Sequence, residues 1–227
     1  MQTTCNPVQS RSRRAAGDRA LALAGVRETL LKSILAGLMI GIGGTAFLSC
    51  ESRVVGALLF TTGLITICNM GYMLFTGKVC YALENDWRYA ITLALITLGN
   101  LIACVLYGTA VGQYLPKVAE KAADLCQAKL LQAGGQTFFL GMLCGVLMYI
   151  AVVTYRRQEG LSRYIGIVTC VPAFILCGFE HSVADAVYLS MAGLPAGTWR
   201  FLFIVLAGNA VGGLLFPVLQ KLAGDKN

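Results

Sequence analysis

Charged residues are scarce in this sequence, and that scarcity excludes an ordinary soluble domain. Only 13% of the 227 residues are charged, whereas about a quarter would be charged in a typical soluble domain. Hydrophobic residues make up 57% of the chain, and the mean hydropathy is +0.70. No segment shows sustained alternation of apolar and polar residues, so a closed β-barrel is excluded as well. The composition therefore predicts an all-α membrane protein.

Histidine is nearly absent, and the cysteines lack the spacing of a metal site. The only histidine is His181, and the nine cysteines include no C-x-x-C pair. Too few ligands remain for a dedicated metal site. Ser182 follows His181 directly, but neighbouring side chains on a helix diverge and do not form a hydrolytic dyad. The sequence therefore predicts no metal, no cofactor and no enzymatic activity.

Long uncharged runs are what this sequence has instead. Each is about long enough to cross the ~30 Å hydrocarbon layer of a bilayer as a helix. A sixth crossing has to be assembled from two shorter pieces that flank a polar stretch. These runs predict six membrane spans, at 33–50, 54–77, 89–116, 130–155, 164–179 plus 186–199, and 201–220.

The positive charges predict how the spans are oriented. If the spans alternate, thirteen of the Lys and Arg residues fall on one side, and the other side receives only five: Arg53, Lys117, Lys121, Lys129 and Arg200. The positive-inside rule then places both termini in the cytoplasm and the protein in the cell membrane. The net charge of +7 follows from this topology and indicates no nucleic-acid partner. We expect cytoplasmic tails at 1–27 and 223–227 around a six-span domain at 28–222.

A faint internal repeat indicates two halves of three spans each. The third span carries GNLIACVLYG (99–108) and the sixth carries GNAVGGLLFP (208–217), so Asn100 and Asn209 occupy matching positions. An odd number of spans per half means that the halves are inverted, as in many transport proteins. Span 2 is interrupted at MLFTGKVCYALEN (73–85), and span 5 at CGFEHSVAD (177–185). Interrupted helices are tolerated where the freed backbone groups face protein or a water-filled cavity, which favours a transport pathway.

These motifs resemble those of the formate/nitrite transporter family over roughly residues 28–222. The resemblance rests on GFEHS (178–182) in the fifth span, LFTG (74–77) in the second and Gly-Asn in the sixth. It implies an aquaporin-like homopentamer in the lipid bilayer, with a channel in every protomer. The implied substrates are small monovalent anions, formate first, then nitrite or hydrosulfide, which cross either as anions or with a proton as the neutral acids.

The resemblance also implies roles for individual residues. His181 is expected at the centre of the pathway, with Thr76 facing it and Lys129 in the outer vestibule. Two hydrophobic constrictions are expected on either side of the histidine. The outer one is formed by Phe60 and Phe174, and the inner one by Leu64, Leu74 and Phe75.

Several alternatives remain open at this stage. Lys129 is also compatible with a snorkelling interfacial lysine, and Thr76 with the cap of the helix that follows it. We expect Glu180 to bond backbone amides freed at the break. Asp185 stands where the family usually has asparagine, and it is either ionised, protonated or turned towards another subunit. An aquaporin-like channel for small neutral solutes is the alternative function, although the Asn-Pro-Ala motifs of that class are absent.

Overall fold

The computed structural model describes residues 7–224, with side chains from residue 25 onwards. Within this range the chain is helical and contains no β-strand. Short 3₁₀ segments lie at Val79–Glu84 and Gly160–Tyr164. The α-helices are α1 (Pro7–Ser49), α2 (Arg53–Met70), α3 (Phe75–Lys78), α4 (Tyr89–Tyr114), α5 (Pro116–Leu130), α6 (Gly134–Arg157), α7 (Ile165–Cys177), α8 (Ser182–Met191) and α9 (Thr198–Leu222).

Six segments of the described chain are long and apolar enough to cross a membrane, which confirms the predicted all-α class and the number of spans. They are Gly25–Ser49 within α1, then α2, α4, α6, Gly160–Cys177 and α9. The domain limits at residues 27 and 223 stay predictions. Part of the basic tail falls outside the side chains that the structure describes, namely Arg11, Arg13, Arg14, Arg19 and Lys226.

Two predicted span boundaries are wrong. The run 130–155 begins in a separate amphipathic helix, α5, whose charged residues include Lys117 and Glu120, and α6 starts only at Gly134. The run 186–199 does not stay helical, because α8 ends at Met191 and α9 starts at Thr198. Gly193 and Gly197 adopt φ of 80° and 89° in the intervening loop, a conformation that favours glycine. The uncharged runs therefore predicted the number of spans better than they predicted where each helix begins and ends.

The helices pack in two similar groups. In the first, α1 packs against α2 and α4; in the second, α6 packs against α7 and α9. The two groups meet where α2 contacts α7 and where α8 contacts α4. The break regions 71–74 and 178–181 therefore lie between the two groups.

The Gly-Asn pairs in α4 and α9 explain how closely these helices approach. A Cβ on Gly99 would lie 2.6 Å from Cβ of Ser33 in α1, and a Cβ on Gly208 would lie 2.5 Å from the carbonyl oxygen of Phe138 in α6. Small residues permit this backbone contact inside a membrane. The asparagine beside each glycine is fully buried and faces the same neighbouring helix.

We expect Gly208→Ala to destabilise the protein, because the added methyl group has no space between α6 and α9. Overpacking of this kind costs about 1–3 kcal/mol, and the expected readout is a lower Tm of the detergent-solubilised protein. Gly135→Ala is the matched control, since nothing lies within 4 Å of a Cβ at that position. Equal Tm values for the two variants would contradict the proposed close approach.

Candidate functional site

Asn209 binds the backbone at the break between α7 and α8. Its Oδ1 accepts the Ser182 amide N–H at 2.8 Å, and its Nδ2 donates to the carbonyls of Glu180 and Gly141, both at 2.8 Å. The first two groups flank His181, and the third belongs to α6. One buried side chain therefore satisfies the freed backbone at the start of α8 and fixes it to α6.

Asn100 makes the matching set of bonds at the break between α2 and α3. Its Oδ1 accepts the Phe75 amide N–H at 2.9 Å, while its Nδ2 donates to the carbonyls of Ser33 at 2.8 Å and Met73 at 2.9 Å. In both halves the asparagine bonds the first helical amide, the carbonyl two residues earlier and a carbonyl of the adjacent long helix. Leu74 and His181 thus occupy equivalent places, one residue before α3 and α8.

The two breaks bring Thr76 and His181 together. Nε2 of His181 lies 3.0 Å from Oγ1 of Thr76, and both residues are buried with 1% exposure. Nδ1 of His181 accepts the Ala184 amide N–H at 3.1 Å, so the histidine side chain caps α8. The predicted partners therefore contact each other, although they are 105 positions apart in the chain.

These contacts determine which nitrogen of His181 carries a proton. Because Nδ1 accepts a backbone N–H, its lone pair is occupied, and the neutral ring carries its hydrogen on Nε2. Nε2–H then donates to Oγ1 of Thr76, and the hydroxyl hydrogen of Thr76 stays available for a further acceptor. A proton on Nδ1 would break the cap on α8, so the geometry favours the neutral ring.

Aromatic rings cover one side of this polar pair. Phe174 stacks on the His181 ring with centroids 5.5 Å apart and an interplanar angle of 23°. Phe60 in α2 meets Phe174 edge-on, with centroids 5.9 Å apart at 90°. Both phenylalanines are buried. The two residues predicted for the outer constriction are therefore in contact with each other, and one of them, Phe174, also contacts the histidine.

A cavity of about 270 Å³ is lined by two of the three predicted inner residues. These are Leu64 and Leu74, each 1% exposed. The structure does not bring Phe75 to them. Its side chain packs in a separate cluster with Val79 and Ile96 and lines a different cavity. Consecutive residues at the start of a helix point in different directions, so Leu74 and Phe75 do not face one pathway.

Lys129 lies at the end of α5 inside a buried ionic cluster. Its Nζ is 3.0 Å from Oδ1 of Asp185 and also forms an ion pair and hydrogen bond with Oε2 of Glu180. The other Glu180 oxygen, Oε1, accepts from Nε2 of Gln132 at 2.7 Å. Oδ2 of Asp185 is buried without a hydrogen-bond partner among the described residues. Two carboxyl groups thus surround one ammonium group.

This cluster corrects one expectation and excludes one alternative. Glu180 was expected to bond amides freed at the break, and this is wrong, since those amides bond Asn209 and His181 while Glu180 accepts from Lys129 and Gln132. Lys129 is not a snorkelling side chain either, because it is 8% exposed and paired. The reason in both cases is that α5, which the sequence reasoning missed, carries an ammonium group to the break.

Thr76 is also not the cap of α3. Leu74 occupies the cap position and makes no side-chain hydrogen bond, whereas Thr76 lies inside the first turn. Gln132 is a site residue that the sequence reasoning missed; it fixes Glu180 and accepts a hydrogen bond from Thr137 at 3.2 Å. Its position as a lone polar residue in the turn before the apolar helix α6 was the only available signal.

Comparisons with known proteins agree with this architecture. The nitrite transporter NirC of Escherichia coli is 28% identical over 214 residues, which cover 82% of this chain and 79% of NirC. The formate channel BtFdhC of Bacillus thuringiensis is 29% identical over 186 residues, covering 72% and 70% of the two chains. A solved structure described as a pentameric formate channel with formate bound superimposes with a TM-score of 0.76 and 23% identity, covering 88% of this chain and 97% of that one.

The family model for formate/nitrite transporters matches residues 11–222, nearly the whole chain. The match includes both helix breaks, the two asparagines that bind them and the buried histidine. Family members are transport proteins and not enzymes. The chain belongs to the formate/nitrite transporter family.

Proposed function

We propose that this protein passes small monovalent anions across the cell membrane at the His181–Thr76 pair. The observation that carries the proposal is this single polar contact, which is buried and covered on the histidine ring by Phe174. Formate and nitrite are the candidate substrates, because similar proteins are named for one or the other, and hydrosulfide is the third. The anion crosses either alone or with a proton as the neutral acid.

We also propose that α2 with α3, and α7 with α8, each form one interrupted span of an inverted repeat. The matching hydrogen bonds of Asn100 and Asn209 support this proposal, since each serves the same three kinds of backbone group. In transporters with inverted repeats the substrate site lies at the interface of the repeats, near the middle of the membrane. The contact between Thr76 and His181 joins one break to the other.

Thr76 is the group that meets the substrate in this mechanism. Its oxygen accepts from His181, so its hydroxyl hydrogen can donate to an anion that has lost water at the apolar rings. Desolvating a charge is costly, and a hydrogen bond to a charged group offsets about 1.5–3 kcal/mol of that cost. The same apolar rings favour the neutral acid over the anion. Thr76 can therefore bind the substrate as an anion, and the same substrate can pass the apolar rings as the neutral acid.

The charge balance near the centre changes the role expected for Lys129. A free lysine in the vestibule would attract anions, but this one is shared by Glu180 and Asp185. Glu180 accepts hydrogen bonds from two donors, whereas Asp185 has only the ion-pair contact of Lys129, 3.0 Å from Oδ1. We infer that Asp185 carries a proton, which makes the cluster neutral overall. An anion then meets no net negative charge beside the histidine.

In the membrane the chain is proposed to form a homopentamer with both termini in the cytoplasm. The many exposed apolar residues on α2, α4 and α9 support contact with lipid or with other protomers; Phe203 is 72% exposed and Leu106 is 68% exposed. The similar solved structure described as pentameric supports the stoichiometry. The distribution of Lys and Arg between the two faces supports the orientation.

The assembly state has a direct test. Native mass spectrometry of the detergent-solubilised protein should give five chains per particle. A stable monomer or trimer under conditions that preserve transport would contradict the proposed pentamer.

Transport itself is tested by stopped-flow uptake of formate, nitrite and hydrosulfide into proteoliposomes at two pH values. We expect uptake well above that of empty liposomes, and we expect Thr76→Val to lower it by about tenfold or more, the scale of one hydrogen bond to a charged group. Thr76→Ser keeps the hydroxyl and should keep the flux.

Thr97→Val is the matched control in this experiment, since the Thr97 hydroxyl donates to the Leu93 carbonyl in its own helix. Its flux should equal that of the wild type. Rapid passage of a neutral solute such as urea, with no anion flux, would replace the proposal with the aquaporin-like alternative. Anion flux that is identical in Thr76→Val and the wild type would remove Thr76 from the pathway.

A substitution at Asp185 tests the inferred charge balance. Asp185→Asn should leave anion flux at neutral pH within about twofold of the wild type, because an amide replaces a carboxyl group that is already neutral. Glu180→Gln is the comparison, since it removes the carboxylate that two donors hold. A large rise in flux in Asp185→Asn would mean that Asp185 is ionised and repels the substrate.

A further inference from the structure

The cavity of about 270 Å³ that Leu64 and Leu74 line also has positively charged residues in its wall. Its wall includes the half-buried side chain of Lys78 and the exposed side chain of Arg156. Gly77, beside the Thr76 of the central pair, also lines it. The cavity therefore extends from two cationic side chains to Gly77, the residue that follows Thr76 in the chain.

Neither cation is neutralised by an ion pair within the part of the chain that the structure describes. No carboxylate lies within salt-bridge distance of Lys78 or Arg156 there. Glu84 shares a neighbouring cavity with Arg156 but does not line this one. Lys32, a further cation near Lys78, is paired with Glu28 at 2.6 Å. This situation is the reverse of that at Lys129, where two carboxyl groups share one ammonium group.

The two cations also influence each other. Lys78 and Arg156 line the same cavity, so their positive charges repel each other. The guanidinium of Arg156 is held 4.4 Å from the centroid of the Tyr81 ring, which also lines the cavity. Two like charges at one partly buried cavity are stabilised when an anion lies between them.

We propose that Lys78 and Arg156 form a second anion site, which binds the substrate at the cytoplasmic end of the pathway before it reaches the leucine constriction. The proposal rests on the anion transport proposed above. Its ligand is a small monovalent carboxylate or oxyanion, for which a cavity of about 270 Å³ leaves room together with bound water. Arg156 offers paired N–H donors to such an anion, and Lys78 offers a point charge.

This site makes the pathway asymmetric. At the histidine end the lysine is neutralised, whereas the cytoplasmic cavity keeps two positive charges close to a constriction. A local positive potential raises the concentration of anions and their rate of entry. The half-saturating concentration of the anion is therefore lower for flux from the cytoplasmic face than for flux from the outer face.

The test measures initial rates of radiolabelled formate uptake over a range of concentrations, in inverted and in right-side-out membrane vesicles. In Lys78→Met/Arg156→Met we expect the half-saturating concentration to rise about tenfold or more from the cytoplasmic face, the loss of one strong charge-assisted contact. The half-saturating concentration from the outer face should stay within twofold of the wild type. The ratio of maximal rate to half-saturating concentration should stay equal on the two faces, as detailed balance requires of passive transport. Lys78→Arg keeps the point charge and should retain wild-type values, whereas Arg156→Lys keeps the charge without the paired donors and should give an intermediate value.

Arg88→Met is the matched control for a general loss of positive charge. Arg88 lies at the same end of the molecule on an exposed tryptophan and does not line the cavity. A shift confined to one face, and absent from Arg88→Met, supports the site. An unchanged half-saturating concentration, or the same shift on both faces, overturns it.

A binding measurement separates this proposal from the transport proposal. Formate labelled with ¹³C should show NMR line broadening with the detergent-solubilised wild type, and less with the double variant. If the wild type transports no anion but this difference in binding is present, the transport proposal is contradicted and the binding site is supported. Equal broadening with both proteins overturns the site whatever the flux. Should the double variant not assemble, Arg156→Gln alone gives the same comparison, because that side chain is exposed.

Discussion

Backbone groups released at a helix end inside a membrane have no water to bond, and this constraint organises the centre of the molecule. In the proposed arrangement the helices α3 and α8 both start at membrane depth, and one asparagine serves each start. Asn100 and Asn209 together make six hydrogen bonds to backbone groups, four of them at the breaks and two to the adjacent long helices. An unsatisfied backbone group costs several kcal/mol in this environment. The breaks are therefore stable because α4 and α9 supply those amides.

The orientation of His181 depends on the same arrangement. Asn209 holds the residues on either side of the histidine, and the Ala184 amide fixes its Nδ1. The ring is left with one hydrogen, which points towards Thr76 on the opposite break. Phe174 covers the face of the ring. One hydrogen-bond network thus satisfies the backbone groups at the break and also fixes which way the hydrogen bond between His181 and Thr76 points.

Ion pairing, more than the number of lysine and arginine residues, decides where this protein presents positive charge. Lys129 looked like a free cation in the sequence, but α5 delivers it to two carboxyl groups, while Lys78 and Arg156 have no carboxylate within salt-bridge distance in the described structure. A positive vestibule was expected at the outer end, and the unpaired pair of cations lies at the opposite end. The sequence shows how many charged residues are present. Ion pairing at buried sites decides which of them remain able to attract an anion.

The sequence by itself determined the membrane class, the six spans and the family. The first two follow from uncharged runs long enough for a bilayer, and the family follows from the short motifs GFEHS, LFTG and Gly-Asn. The contacts of His181 with Thr76 and of Phe60 with Phe174 were expected from the family resemblance alone. The tertiary structure decided the separation of Phe75 from the leucines, the partners of Glu180 and the neutralisation of Lys129. These depend on which helix faces which, and a side chain's direction and charge partner are set by residues far away in the chain.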